Sequence, residues 1–469
     1  MNFQSVKKVH CIGIKGAGMT ALAEMFAKKG VRVTGSDTAE VFFTDEVLRK
    51  AGIVPIEHFA PENIPEDADL IVYSTSYNSE TNTELRTALE GGISILSYPE
   101  ALGELMKEKM GLAVCGTHGK TTTSAMLAEV LRFLGEDPMA IVGSRVLQWD
   151  GNALSGNGKY FVLEADEYQN KLQYYFPFGA ILTSLDFDHP DFFPDLASYK
   201  KVFSEFVQKI PHHGVLVSCG DSAIVIDVAR DAHCQKLSYG FVSGNDFQIT
   251  NYDSTTNFLP SSEKSLSLKQ SFEVMYEGES LGMFALQLAG KHNALNATAV
   301  IALCSYLKFD MDTVREGLKN FTGTARRFEY IGEYRGALLY DDYAHHPEEI
   351  KATLRAFRDL YPTRRMVVIF HPHTFTRTKA LLPEFAQSFD DADIVYILDI
   401  YGSAREKQGG VSSQEIVDLI NTYHRDKATH IATITEVITE LKNETRDNDI
   451  VITLGAGNVW EITHNLAQK

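Results

Sequence analysis

Short apolar runs recur along the chain, each closing on small or polar residues. Most are followed by apolar positions at helical spacing. Residues 6–14 form such a run and close on Gly13-Ile14-Lys15-Gly16-Ala17-Gly18-Met19; helical spacing then covers 20–29. Residues 31–35 close on Ser36-Asp37, 68–73 on Ser74-Thr75-Ser76, and 93–97 on Tyr98-Pro99-Glu100. Runs that are apolar throughout read as strands buried on both faces, so strand and helix alternate as in a parallel sheet. The same rhythm continues at 110–114, 160–163 and 180–185, and again at 337–340, 366–370, 394–398 and 450–454. Only 271–276 and 283–288 switch to strict alternation, which predicts an antiparallel β appendage.

A length of 469 residues fits about three such cores. The expected class is α/β in three domains. A Rossmann-like domain covers 1–107, a central α/β domain with the small antiparallel appendage covers 108–325, and a second Rossmann-like domain covers 326–469.

Candidate chemistry gathers where the strands end, the edge at which parallel sheets bind ligands. Residues 114–123 read Val-Cys-Gly-Thr-His-Gly-Lys-Thr-Thr-Thr between a strand and a helix. Such a loop cradles phosphate with backbone N–H groups, a helix N-terminus and Lys120, while the Thr121 hydroxyl suits Mg²⁺. The general pattern wants glycine at 114, where this chain has valine. Acids follow two later strands, as Glu164-Ala165-Asp166-Glu167 and as Asp186-Phe187-Asp188-His189-Pro190-Asp191. They suit a magnesium ion, or they cap the helices that follow. The first glycine turn lacks the dinucleotide spacing, so a nucleotide-sugar or other phosphate ligand fits it better than a nicotinamide. Asn293 and Asn296 share a helix face and could read a base edge, with Asn293 equally suited to capping. In the last third, four strands deliver Asp341-Asp342-Tyr343-Ala344-His345-His346, His371-Pro372-His373 through Lys379, Asp399-Ile400-Tyr401, and Gly455-Ala456-Gly457-Asn458.

Net charge is −18, which opposes binding to nucleic acid or to an anionic membrane. No apolar stretch reaches membrane-spanning length, and a cytoplasmic protein is expected. The five scattered cysteines contain no C-x-x-C pair and read as reduced thiols.

Taken jointly, these segments closely resemble the Mur ligase family of bacterial peptidoglycan synthesis, over essentially the whole length. The carriers are residues 116–123, Glu164-Ala165-Asp166-Glu167, Asp188-His189, Gly290-Lys291-His292-Asn293-Ala294-Leu295-Asn296, Arg326-Arg327-Phe328-Glu329 and Asp342-Tyr343-Ala344-His345-His346-Pro347. His118, the run 373–379 and Asp399-Ile400-Tyr401 point to the L-alanine-adding member.

The resemblance implies an ATP- and Mg²⁺-dependent ligase that joins L-alanine to the lactyl carboxylate of UDP-N-acetylmuramic acid through an acyl phosphate. It implies the UDP-sugar at Gly16, Gly18, Ser36, Asp37, Ser74, Thr75 and Ser76. ATP would lie on Gly116, Thr117, His118, Gly119, Lys120, Thr121 and Thr122, with Asn293 and Asn296 at adenine, Arg327 on the γ-phosphate and Asp342 at the ribose. Thr121, Glu167 and His189 would surround magnesium. Tyr343, His345, His373 and Arg377 would surround the alanine. Lys120, Glu167, His189 and Arg327 would carry catalysis, and the base stays open among His189, His345 and His373. A monomer or weak homodimer is expected.

Several positions depart from the family pattern: Lys15 interrupts a usual Gly-Gly, Tyr98-Pro99-Glu100 replaces Arg-Ala-Glu, Ser184 replaces Asn, and Asn458 replaces Asp. The runs 164–168 and 186–195 also resemble the related ligase that attaches a murein tripeptide in cell-wall recycling. A P-loop regulator without ligase activity is a more distant alternative.

Overall fold

The computed structural model describes residues 3–42, 44–149, 151–254, 270–402 and 408–468. They divide into two compact units. The first comprises residues 1–185, 200–248 and 297–321, and the second 186–199, 249–296 and 322–469.

The first unit contains two sheets. Strands β1 (Lys8–Ile12), β2 (Arg32–Ser36), β3 (Leu70–Tyr73) and β4 (Ile95–Ser97) form a parallel sheet in the order β2-β1-β3-β4. Its apolar runs are buried as expected, but His10 interrupts β1 with a ring that is fully enclosed. The ring survives burial because both nitrogens are bonded, Nδ1 to Thr34 Oγ1 at 2.9 Å and Nε2 to Glu84 at 2.8 Å. Burial works against the charge of Glu84, yet hydrogen bonds from His10, Ser36, Asn63 and the Ala60 amide outweigh it and hold its carboxyl low. Tyr98-Pro99-Glu100 opens the helix Tyr98–Lys107, where Ser97 and Glu100 form a reciprocal capping box.

The second sheet of this unit is built from β5 (Met110–Cys115), β6 (Met139–Val146), β7 (Gly151–Ser155), β8 (Tyr160–Glu164), β9 (Gly179–Leu182), β10 (Val215–Cys219) and β11 (Gln235–Gly240). Their order is β11-β10-β9-β5-β8-β6-β7, and only β6 and β7 pair antiparallel. A further strand, β12 (Phe247–Asp253), starts beside β11 through Tyr239–Phe247 and Gly240–Gln248. Because β8, β5 and β9 are neighbours, the acids after β8, the loop after β5 and Thr183 after β9 emerge side by side. The helix Ala17–Lys28 of the first sheet packs on the β6–β7 hairpin. Its buried Glu24 accepts the Asn152 amide at 2.9 Å, and a side chain at Gly151 would strike that carboxylate.

In the second unit, β13 (Gln270–Tyr276) and β14 (Glu279–Leu286) make the antiparallel hairpin. Its second strand starts at Glu279, ahead of the expected residue 283. The reason is the two-residue turn Glu277-Gly278, with φ of +51° and +82°, which returns the chain at once. The rest of the expected appendage, residues 255–269, lies outside the described residues.

Strands β15 (Glu329–Tyr334), β16 (Ala337–Asp342), β17 (Arg365–Phe370), β18 (Ile394–Ile397), β19 (Ala428–His430) and β20 (Asp449–Leu454) form a sheet in the order β15-β16-β20-β17-β18-β19. Alternate residues feed opposite faces. Leu338, Tyr340, Val368, Phe370, Ile450 and Ile452 pack with Ile350, Leu354 and Phe357 of the helix Pro347–Leu360. Leu339, Val367, Ile369 and Val451 pack with Ile462 and Leu466 on the other side. Helices on both faces give the expected doubly wound layer. Among the described residues, no helix is long and apolar enough to cross a membrane.

Candidate active site

In the first unit the loop after β5 bends sharply at two glycines. Gly116 has φ of +128°, and a Cβ there would lie 2.3 Å from Thr183 Oγ1. Gly119 has φ of +79° and precedes the helix Lys120–Phe133. The family-type loop therefore begins at Gly116, and Val114 remains a buried strand residue. Ser184 braces the loop: its carbonyl accepts the Thr117 amide and its hydroxyl the His118 amide, each at 2.9 Å. Lys120 turns its ammonium back over the loop, donating to the carbonyls of Gly116 and Thr117 and pairing with Glu167 at 3.0 Å. Burial alone would lower its pKa, but Glu167 foremost, then Asp166 and Glu164, hold it above its ordinary value. Thr121 Oγ1 donates to Glu164 at 2.7 Å, so the hydroxyl lies at the acids after β8.

In the region expected to hold a nucleotide-sugar, a Cβ at Gly16 would meet the Gly13 carbonyl at 3.7 Å, an ordinary contact, while Gly18 is filled from outside by the ring of Tyr98. Ser36 is turned inward and donates to Glu84 at 2.6 Å. Asp37 is buried and accepts from the amides of Lys15 and Thr38 and from Tyr77 Oη. Its carboxylate organises the turn that the family resemblance assigned to the UDP-sugar. Ser74, with Thr75 and Ser76, forms the turn beside β1; the Ser74 hydroxyl is 3.0 Å from that of Ser76.

The second unit gathers its polar residues at one sheet edge. Asp342 lies opposite Leu454, Leu454 opposite Phe370, and Phe370 opposite Ile397, so β16, β20, β17 and β18 discharge together. Asp342 is buried and accepts the amides of Phe328 and Ala344 at 2.8 Å. Burial raises its pKa to about 6 despite the charge of Arg327. Like Asp37, this acid holds its own loop.

The adjacent arginines have different fates. Arg326, at φ of +59°, is consumed by Asp341 at 2.8 Å and by the carbonyls of Gly455 and Gly457. Arg327 lies against Tyr343, 5.3 Å from its ring centre, and 3.6 Å from Glu349.

Arg377 is also paired. It straddles Asp188 with Nε at 2.9 Å and Nη2 at 3.2 Å, and both residues are buried. Burial would raise the Asp188 pKa, but Arg377, then His189, drive it well below the usual range. His189 itself sits at φ of +57°.

His373 stacks on Tyr401 with ring centres 5.7 Å apart, and His345 approaches it at 6.2 Å. Burial lowers the pKa of His345 to about 4 and that of His373 to about 3. The two neutral rings face opposite ways chemically. Nδ1 of His345 lies 3.0 Å from the Tyr343 carbonyl, so it carries the proton and leaves Nε2 as an acceptor. Nδ1 of His373 receives Arg377 Nη1 at 3.4 Å, so its proton lies on Nε2. Asn293 Nδ2 donates to the Ala289 carbonyl at 2.6 Å, and Asn296 donates to Asn293 Oδ1 at 3.3 Å.

Three further residues lie beside the candidates named from sequence. Glu349, in the first turn of the helix Pro347–Leu360, accepts the His345 amide at 3.1 Å. Asp188 falls in the acidic run 186–191, and sequence alone does not connect it to Arg377. His371, edge-on to Tyr401 with its pKa lowered by burial to about 4, carried no separate signal.

Three family models match nearly end to end: the Mur ligase family catalytic domain over residues 8–110, the Mur ligase middle domain over 114–304, and the Mur ligase glutamate ligase domain over 326–457. The chain belongs to the Mur ligase family. UDP-N-acetylmuramate–L-alanine ligase of Desulfitobacterium hafniense is 42% identical over 98% of this chain and 99% of its own length. The same-named ligase of Caldanaerobacter subterraneus is 37% identical over 100% and 99%. Among solved structures, UDP-N-acetylmuramate-alanine ligase from Thermotoga maritima superposes with a TM-score of 0.80 at 25% identity, covering 98% of both chains. A murein peptide ligase from Psychrobacter arcticus superposes at 0.72, also at 25% identity and 98% coverage of both. Against the family pattern, Ser184 supplies both a hydroxyl and a carbonyl to the loop, and Lys15 is buried within the first glycine turn.

Proposed function

We propose that this Mur ligase joins L-alanine to the lactyl carboxylate of UDP-N-acetylmuramic acid at the expense of ATP, in peptidoglycan precursor synthesis in the cytoplasm. The observation that carries this reading is the loop 116–122, whose half-buried Lys120 lies over backbone carbonyls at the edge of a parallel sheet. Full-length similarity to the named L-alanine ligases supports the choice of substrates.

A carboxylate resists attack by an amine because oxide is a poor leaving group. Phosphorylation supplies a better one, so the lactyl carboxylate attacks the ATP γ-phosphate to give an acyl phosphate and ADP. The amine then attacks the acyl carbon and phosphate leaves. In the first step Lys120 and Arg327 stabilise charge on the transferring phosphoryl group. Lys120 exchanges its contacts with the loop carbonyls for phosphate oxygens.

Thr121 and Glu167 offer hard oxygen donors of the kind magnesium takes, and His189 is assigned as the third ligand by family likeness. Magnesium bound there would neutralise phosphate charge. Asn293 and Asn296 are assigned to adenine and Asp342 to the ribose side. Gly16, Gly18, Asp37 and the 74–76 turn are assigned to the UDP-sugar.

In the second step the alanine ammonium loses a proton to a base that stays open among His189, His345 and His373; of these, His345 offers Nε2 as an acceptor. Arg377 meets the alanine carboxylate with whatever donor capacity Asp188 leaves. Arg377→Ala should raise the KM for alanine far more than that for ATP.

The murein-tripeptide ligase is the second reading, favoured by the likeness to the Psychrobacter enzyme. ADP release with UDP-N-acetylmuramate and, separately, L-alanine, glycine, L-serine or the tripeptide separates the readings. Turnover with the tripeptide alone would overturn the L-alanine assignment, and nucleotide binding without any turnover would overturn both.

A further inference from the structure

Lys15 is 2% exposed, an extreme for a residue type that is almost never fully buried unless paired. It sits in the glycine turn after β1, and every polar group it owns reaches the stretch that follows β2. Its amide donates to Asp37 at 2.7 Å and its carbonyl accepts from Thr44 Oγ1. Its ammonium donates to the Glu40 carbonyl at 2.9 Å and to Glu57 at 3.0 Å, and lies 3.6 Å from Asp45. Asp45 in turn accepts the Phe42 amide at 2.9 Å. The long side chain thus crosses beneath residues 38–42 and ends among carbonyl and carboxylate oxygens.

We propose that Lys15 is a positioning residue for the nucleotide-sugar: its side chain straps the segment after Asp37 to the glycine turn, so the ligand meets a rim that is already ordered. This rests on the assignment of the first sheet to UDP-N-acetylmuramate. Without the strap, the cost of ordering that segment falls on the binding step. The phosphoryl transfer that follows is untouched, because the polar partners of Lys15 among the described residues are Asp37, Glu40, Thr44, Asp45 and Glu57, with no residue of the loop 116–122 among them.

Lys15→Met keeps the bulk and both backbone hydrogen bonds while deleting only the ammonium. In steady-state assays of ADP release it should raise the KM for UDP-N-acetylmuramate about tenfold, with kcat and the KM values for ATP and L-alanine within about twofold. A brace with a merely structural role would lower thermal stability and the active fraction without moving one KM selectively. The more exposed partners give a second variant, Glu57→Gln with Asp45→Asn, expected to raise the same KM about threefold. An unchanged KM in folded Lys15→Met, or an equal rise for ATP, overturns the proposal. If Lys15→Met does not fold, an unchanged KM in the double variant overturns it. Wild-type protein that shows no turnover with UDP-N-acetylmuramate and L-alanine removes the underlying assignment instead, so the two failures are distinguishable.

Discussion

The P-loop edge of the first unit and the histidine edge of the second are built alike, from neighbouring parallel strands, and are charged in opposite ways. At the first, acids surround a lysine and hold its proton on. At the second, burial strips charge from His345, His371 and His373, and the cations Arg326 and Arg377 are each tied to an aspartate. One edge keeps a protonated lysine among acids; the other keeps neutral rings beside paired arginines. The same backbone layout therefore serves opposite chemistries, with burial and counter-charge deciding which.

The comparison breaks first at Lys120. Lys120→Ala should cut ADP release by at least on the order of 10²–10³, the scale for losing one transition-state donor. Near-normal turnover would show that the cation there is decorative. The next largest effect is expected at Asp188. Asp188→Asn leaves a buried guanidinium without its counter-charge and should destabilise the fold by about 3–5 kcal/mol in urea unfolding. A loss near zero would mean that Arg377 is not fixed by this pair.

The twin arginines sharpen the contrast further. Arg326→Lys cannot reproduce the fork to Asp341 and the glycine carbonyls, so it should cost about 1.5–3 kcal/mol of stability for each charged hydrogen bond lost. Arg327→Lys should leave stability nearly unchanged and lower kcat. Reversal of that pattern, read from urea melts and ADP release, would exchange their roles.

The remaining effect is a pH dependence. Folding lowers the pKa of His292, His345 and His371 from 6.5 to about 4 and that of His373 to about 3. The unfolded chain therefore binds more protons in this range, and stability present above pH 6.5 is lost as pH falls toward 4. Asp342, raised to about 6, opposes this by taking up a proton on the folded side. Four rings against one acid should leave a net fall in the melting temperature across that window. A flat profile would place these rings in water.

The layers were legible because apolar runs and their small-residue ends are local signals, and β5, β8, β16, β17 and β20 lie where those signals pointed. Local signals do not report what a strand-end acid touches. Asp342 looked like a ligand group, yet it accepts an amide 14 residues back, and nothing in its neighbourhood announced that. Arg326 and Arg327 are identical in type and adjacent in sequence; only the left-handed backbone at 326 sends one inward. The Arg377–Asp188 pair spans 189 residues, beyond any spacing rule. The enclosed ring of His10 in β1 is satisfied by Glu84, 74 positions further on.

The carboxylate of Glu24, set into the β6–β7 hairpin, bears on modular engineering. A chimera that exchanges the first domain among relatives, cut near residue 107, would carry Glu24 away from Gly151 and Asn152. An incoming domain with an apolar residue there would leave an amide stranded, and one with a recipient side chain at 151 would collide. The transferable part is therefore not a continuous segment: it is the first domain together with two residues that lie more than forty positions beyond the cut.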